Sequence, residues 1–142
     1  MTNLPHLSAA PETENDWFGA LAALVRFLRS PEGCPWDRKQ SAVDFAKFAG
    51  EELAEYLESL DGGDNAHAEE EFGDSLFVLL ASAAAAEAEG RFSLRNAMER
   101  AHEKMVRRHA HVFSPDKAMT PEEAVESWNQ IKAREKEGRP GA

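Results

Sequence analysis

Cysteine is nearly absent: Cys34 stands alone in 142 residues. No internal disulfide is possible, and a reduced compartment is expected. Bases are scarce, 16 Lys and Arg against 26 Asp and Glu, for a net charge of −10. That excludes a general binder of nucleic acid or of an anionic membrane surface, both polyanions, while leaving room for a local basic site. Long apolar runs are missing too. The longest, around Leu76 to Ala86, is too short and too rich in alanine to span a bilayer. The opening MTNLPHLSAAPETEND has neither a basic nor an apolar region, so it does not read as a signal peptide. The expectation is a soluble cytoplasmic protein of one domain. Two chemical signatures are also lacking. No GxxxxGK[ST] phosphate loop occurs, and only Glu99 to His102 has the Glu-x-x-His spacing that a di-iron bundle needs twice.

What is present is helical periodicity with clear punctuation. Residues 1–14 read as a loose tail. Asp16 then caps a helix with Trp17, Leu21, Leu24, Val25 and Leu28 on one stripe, stopped by Ser30-Pro31 and Gly33. GCPWDRKQ reads as a loop. Ser41 and Asp44 form a capping box for a second helix to about Leu60. DGGDN is a turn, and a third helix runs from about Ala66 to Glu89, ending at Gly90. Ser93 opens a fourth, with Leu94, Ala97, Met98, Ala101 and Met105 on one face. HAHVFSPDKAM reads as irregular. Thr120, Pro121 and Glu123 start a last helix carrying Val125, Trp128 and Ile131, and residues 138–142 read as a disordered tail. No stretch reads as a strand. The expected class is all-α: a four-helix-bundle-like core with an additional C-terminal helix, domain 15–137.

The central helices repeat one acidic phrase, EELAE and then EEFGD. A helix turns by about 100° per residue. On the second helix Glu52 falls inside the arc of Phe45, Phe48, Ala49, Leu53, Tyr56 and Leu60, and Glu55 at its edge. On the third, Glu71 and Asp74 flank Val78 on a helix that is apolar nearly all round after Phe72, the pattern of a buried helix. Unpaired buried carboxylates are costly, and like charges three residues apart repel. A divalent cation removes both costs, and the all-oxygen donor set Glu52, Glu55, Glu71 and Asp74 suits Mg2+ or Mn2+. Gly73 costs about 1 kcal/mol relative to alanine in a helix interior, which makes sense where another backbone approaches closely.

KMVRRHAH, residues 104–111, is the basic island. Lys104 and Arg108 share a face; they read either as polyphosphate ligands or as cations favoured by a helix C-terminus. Trp36, beside Pro35, either stacks on a nucleobase or plugs the end of the bundle. Trp128 either anchors the last helix or meets a ligand.

Taken in order, GCPWDRKQS, EELAEYLESL, EEFGDSLFVLL, KMVRRHAHVF and WNQIKAREK resemble the motifs of the MazG nucleotide pyrophosphohydrolases, an all-α group, over roughly residues 17–137. The resemblance implies metal-dependent hydrolysis of a nucleoside triphosphate to the monophosphate and pyrophosphate, a role in clearing the nucleotide pool. It implies metal acids at Glu52, Glu55, Glu71 and Asp74, a general base at Glu52 or Glu55, and phosphate contacts from Lys104 and Arg108. It also places Trp128 near the nucleotide and implies a homodimer or homotetramer. Ala110 and Ser41 depart from the family's usual proline and threonine. The rival class is a non-catalytic helical module that senses a nucleotide or dimerises, with the acids as polar seams.

Overall fold

The computed structural model describes residues 4–138, and among them it is all-helical, with no strand. The ends of both expected tails, residues 1–3 and 139–142, lie outside the described residues. The chain divides into two compact units, residues 4–94 and 95–138 of the described chain.

The first unit holds α1 (Glu14–Leu28), α2 (Pro35–Lys39), α3 (Ala42–Asp61) and α4 (Asn65–Ala88). Helix α1 starts earlier than expected. Thr13, not Asp16, is its N-cap, and Asp16 closes a reciprocal capping box by accepting from the Thr13 amide. Leu4 and residues 6–11 line a groove of about 640 Å³ with Trp17, Leu21 and Leu24 of α1, and Trp17 stays largely exposed rather than joining the core.

The stretch GCPWDRKQ contains a helical turn, α2, where a loop was expected. Five residues cannot nucleate a helix by themselves. Pro35 at its start supplies a preset φ. Arg29 then ties its far end, donating from Nη1 to the Asp37 and Gln40 carbonyls at 2.8 and 2.9 Å, while Arg38 donates to the Ser30 carbonyl at 2.7 Å. Trp36 stacks on Phe48 at 5.9 Å and meets Phe45 edge-on, with about half its surface still open.

Helices α3 and α4 form an antiparallel hairpin. The Ser41–Asp44 capping box opens α3 as expected. Gly63, at φ +75°, makes the turn, a conformation costly for any residue with a Cβ. At the far end Gly90, at φ +74°, lets the Arg91 amide reach the Ala86 carbonyl at 2.9 Å, a Schellman closure. The two outer ends of the hairpin are then fastened together. Glu89 accepts from the Ala42 amide at 2.7 Å, and Ser82 donates to the Ala42 carbonyl at 2.8 Å.

The core lies between α1, α3 and the second half of α4, around Val25, Phe45, Leu80, Ala81 and Ala84 to Ala86. The alanines let α4 lie close to its neighbours, since the separation of packed helices follows side-chain size. Phe45, 2% exposed, is the largest side chain filling that space. Helix α4 is not buried all round, as its composition implied. Residues 80–86 are buried except for a partly buried Ser82, but Phe72 and Leu79 are exposed, as are Leu53, Leu57 and Leu60 of α3. Nor does Gly73 meet another backbone: a Cβ built there finds nothing within 4 Å.

Helix α5 (Leu94–Arg108) begins at the last residue of the first unit, where Leu94 packs on that unit's core, and the second unit holds the rest of α5 with α6 (Ala110–Phe113) and α7 (Pro121–Glu137). The short α6 interrupts the segment expected to be irregular. Helix α7 begins as its sequence signals: Thr120 accepts from the Glu123 amide, and Pro121 occupies the first turn. No residue of α5 is buried, so the stripe of Met98 and Met105 remains open to solvent.

Candidate metal centre and cation cluster

Glu52 and Glu55 are one turn apart on α3, and Glu71 faces them from α4. Each offers an oxygen, and these atoms lie within 4.8 Å of one another. Burial falls off across the cluster: Glu71 is buried at 8% exposure, Glu52 is partly buried and Glu55 is open to solvent. The leading acids of the two phrases, Glu51 and Glu70, are exposed. Asp74 is exposed as well and does not join the three clustered carboxylates.

The electrostatics are those of crowded like charges. Glu52 is pushed up from 4.5 to about 7, first by burial and then by contact with Glu71 and Glu55. Glu71 has one satisfied oxygen and one orphan. Its Oε1 lies 3.0 Å from His67 Nε2, while its Oε2 is buried without a hydrogen-bond partner. The Glu71 contact, followed by the pull of Asp64 and Glu70, raises His67 above its ordinary value against a smaller effect of burial. An orphaned buried carboxylate oxygen beside two further carboxylates is a set that a hard, oxygen-seeking divalent cation satisfies. His67 escaped the sequence reading; its signal was the four-residue spacing to Glu71 on the same helix.

The predicted cations lie in the second unit. Lys104 is exposed and lines a shallow groove with Arg100 and Arg107. Arg108 is already engaged. Its guanidinium sits 5.1 Å over the Trp128 ring and donates to Glu135 from Nε and Nη2 at 3.1 to 3.2 Å, with Arg107 donating to the same carboxylate. These contacts, Arg108 first, hold Glu135 down at about 2. Trp128 thus serves as a platform for Arg108, with His109 edge-on at 5.4 Å on the same ring.

An all-α scaffold whose paired helices present a carboxylate cluster defines an acid-lined class of helical domain. Residues 40–113 match the MazG nucleotide pyrophosphohydrolase domain, and the chain belongs to this family. It is 36% identical over 119 residues to the nucleoside triphosphate pyrophosphohydrolase/pyrophosphatase MazG of Thermotoga maritima, covering 84% of this chain and 45% of that one. It is likewise 36% identical over 117 residues to the nucleoside triphosphate pyrophosphohydrolase of Escherichia coli, covering 82% and 44%. The chain therefore spans less than half the length of these curated relatives. The crystal structure of a MazG-related protein from Thermotoga maritima superposes with a TM-score of 0.67 at 31% identity, over 78% of this chain and 96% of that one.

Proposed function

We propose that the chain is a metal-dependent nucleoside triphosphate pyrophosphohydrolase, with residues 15–137 as its catalytic domain. The observation that carries this is the convergence of Glu52, Glu55 and Glu71 around a buried, partnerless Glu71 Oε2. In this reading Glu52, Glu55 and Glu71 hold Mg2+, or Mn2+ in its place, and Asp74 completes the set from the exposed rim. A cation held by these residues would polarise a phosphoryl oxygen and lower the pKa of its bound water. Glu52 or Glu55 takes the proton of the attacking water; Glu55 is the one open to solvent. Lys104 and Arg108 offset charge on the phosphates, and Trp128 keeps the Arg108 guanidinium in place. Trp36 keeps an open surface on which a base can stack. The deciding experiment is a panel of nucleoside triphosphates with Mg2+, read for pyrophosphate against orthophosphate. Release of pyrophosphate supports the reading. Orthophosphate alone, or no turnover by folded protein, favours the non-catalytic module.

A homodimer or homotetramer belongs to the same proposal. Leu53, Leu57 and Leu60 of α3 and Phe72 and Leu79 of α4 leave apolar side chains exposed on the hairpin, and burying them against another copy removes that surface from water. Light scattering gives the mass in solution.

The cluster also sets a pH dependence. Glu52 keeps its proton up to about 7, against 4.5 for an ordinary glutamate, so below that point a cation must displace the proton. Mg2+ affinity is expected to rise by at most about tenfold per pH unit up to pH ~7 and to level off above. The folded chain binds more protons than the unfolded one between 4.5 and about 7. Metal-free stability from this group therefore falls as pH rises through that window, and added Mg2+ restores it at the upper end. Melting curves with and without Mg2+ across the window read both trends.

Glu135 makes a competing anion for the phosphate-binding arginines. Glu135→Gln is expected to lower KM for the triphosphate by roughly two- to fivefold, the worth of a partly exposed ion pair. An unchanged or higher KM in steady-state kinetics counts against Arg108 as a phosphate ligand.

A further inference from the structure

We infer that His67 is a positioning residue of the metal centre: by binding Glu71 Oε1, it fixes the Glu71 carboxylate so that Oε2 is reserved for the cation. The inference rests on the metal-dependent reading above and adds a residue that lies outside the acidic phrases. A glutamate carboxylate turns freely about its last torsion, so a buried one with a single hydrogen bond has one defined orientation and one defined vacant oxygen. Here the bond is His67 Nε2 to Glu71 Oε1 at 3.0 Å, and the vacant oxygen is Oε2, buried and partnerless.

The placement of His67 fits this task better than it fits helix stability. It lies in the first turn of α4, where its own amide donates to the capping Asp64 Oδ1 at 3.1 Å. A side chain that carries positive charge is unfavourable there, because the helix dipole presents its positive end. The imidazole side chain is half exposed, at 52%, while the carboxylate it holds is at 10%. The histidine thus spans from solvent to the most buried acid of the cluster. It is not itself among the three clustered ligand residues, so its effect runs through Glu71. Partners that orient a ligating group in this way typically change metal affinity or activity by about 10- to 100-fold when removed.

The test uses the full chain, with Mg2+ as the probe, and two variants. His67→Ala removes the donor. His67→Gln replaces it with an amide nitrogen that reaches about the same point as Nε2. Metal affinity is read by calorimetry without substrate, and the Mg2+ concentration for half-maximal pyrophosphate release is read separately. His67→Ala is expected to weaken Mg2+ binding about tenfold or more, with most of the lost rate recovered at high Mg2+. His67→Gln is expected to bring affinity back to within a few-fold of the parent chain. A metal-free melting temperature close to the parent's shows that the loss is not one of folding. Wild-type Mg2+ affinity in His67→Ala overturns the inference, and so does a His67→Gln chain as weak as His67→Ala. If the parent chain binds Mg2+ without turning over any triphosphate, the catalytic reading fails while the calorimetric result still decides the role of His67.

Discussion

Under the proposed function, replacing Glu71 with glutamine is expected to lower pyrophosphate release by on the order of 10^2- to 10^3-fold and to remove any Mg2+-induced rise in melting temperature. The change is nearly isosteric, so the core around it is not disturbed. What it removes is the charge on the buried acid whose Oε2 has no partner. An amide offers a cation one neutral oxygen in place of a charged pair, and it offers Glu52 a donor. The metal-free variant is therefore expected to melt no lower than the parent chain. Crowding pushes Glu52 to about 7, and replacing one of the crowding charges eases that repulsion. Lost turnover with preserved or raised metal-free stability is a signature that general destabilisation does not produce. If the folded variant keeps turnover within tenfold of the parent, the carboxylate cluster is not the catalytic centre.

Gly33→Ala is expected to destabilise the chain by about 3 kcal/mol, lowering the melting temperature by roughly 10 °C. A Cβ at this position lies 2.3 Å from the Phe27 carbonyl oxygen, 2.4 Å from that of Leu28 and 2.6 Å from the Leu28 carbonyl carbon. All three are backbone atoms at the end of α1, so no side chain can swing aside. Relief requires the loop to lift, and lifting breaks the bond from the Cys34 amide to the Leu28 carbonyl, now 2.8 Å. Cys34 is the N-cap of α2, and α2 carries Trp36 onto Phe48 and Phe45. The damage therefore spreads from one methyl group to the aromatic end of the core. Thermal melting of Gly33→Ala beside Gly50→Ala, which meets nothing within 4 Å, separates the clash from the helix-propensity gain expected of the second. Equal melting temperatures would show that the loop has slack to absorb the methyl group.

These sites differ in how far the sequence revealed them. The helices with local signals were legible because their causes lie within four residues: Ser41 with Asp44, Thr120 with Pro121 and Glu123. The start of α1 slipped for the same local reason. Thr13 and Asp16 are both good caps, and in a reciprocal box they cap each other. Helix α2 was hidden because its stability comes from Arg29, eight and eleven residues from the carbonyls it binds. The wheel pointed Glu52 and Glu71 inward, and both turn inward. It put Asp74 on the buried face as well, and Asp74 is exposed; Glu55, at the edge of its arc, is exposed too, because there the depth of the neighbouring helix decides. Nor could periodicity say whether Phe72 and Leu79 meet their own chain or another surface, since both outcomes demand the same residues. Glu135 was invisible in this sense too. A glutamate in a charged helix end acquires meaning only when another helix lays two arginines across it.

The fastening of Glu89 to the Ala42 amide turns the hairpin into a frame closed at both ends, by the Gly63 turn and by this clasp. Helices joined only at a turn are free to slide along each other, like the two arms of a pair of tweezers. A slip of one residue moves a side chain by ~1.5 Å along the axis and swings it by about 100°. Glu71 carried through such a slip would no longer oppose Glu52 and Glu55. With both ends fixed, the gap between the facing acids becomes a manufactured dimension of the frame. It holds oxygens of the three carboxylates within 4.8 Å of one another by the fastening of the backbone itself.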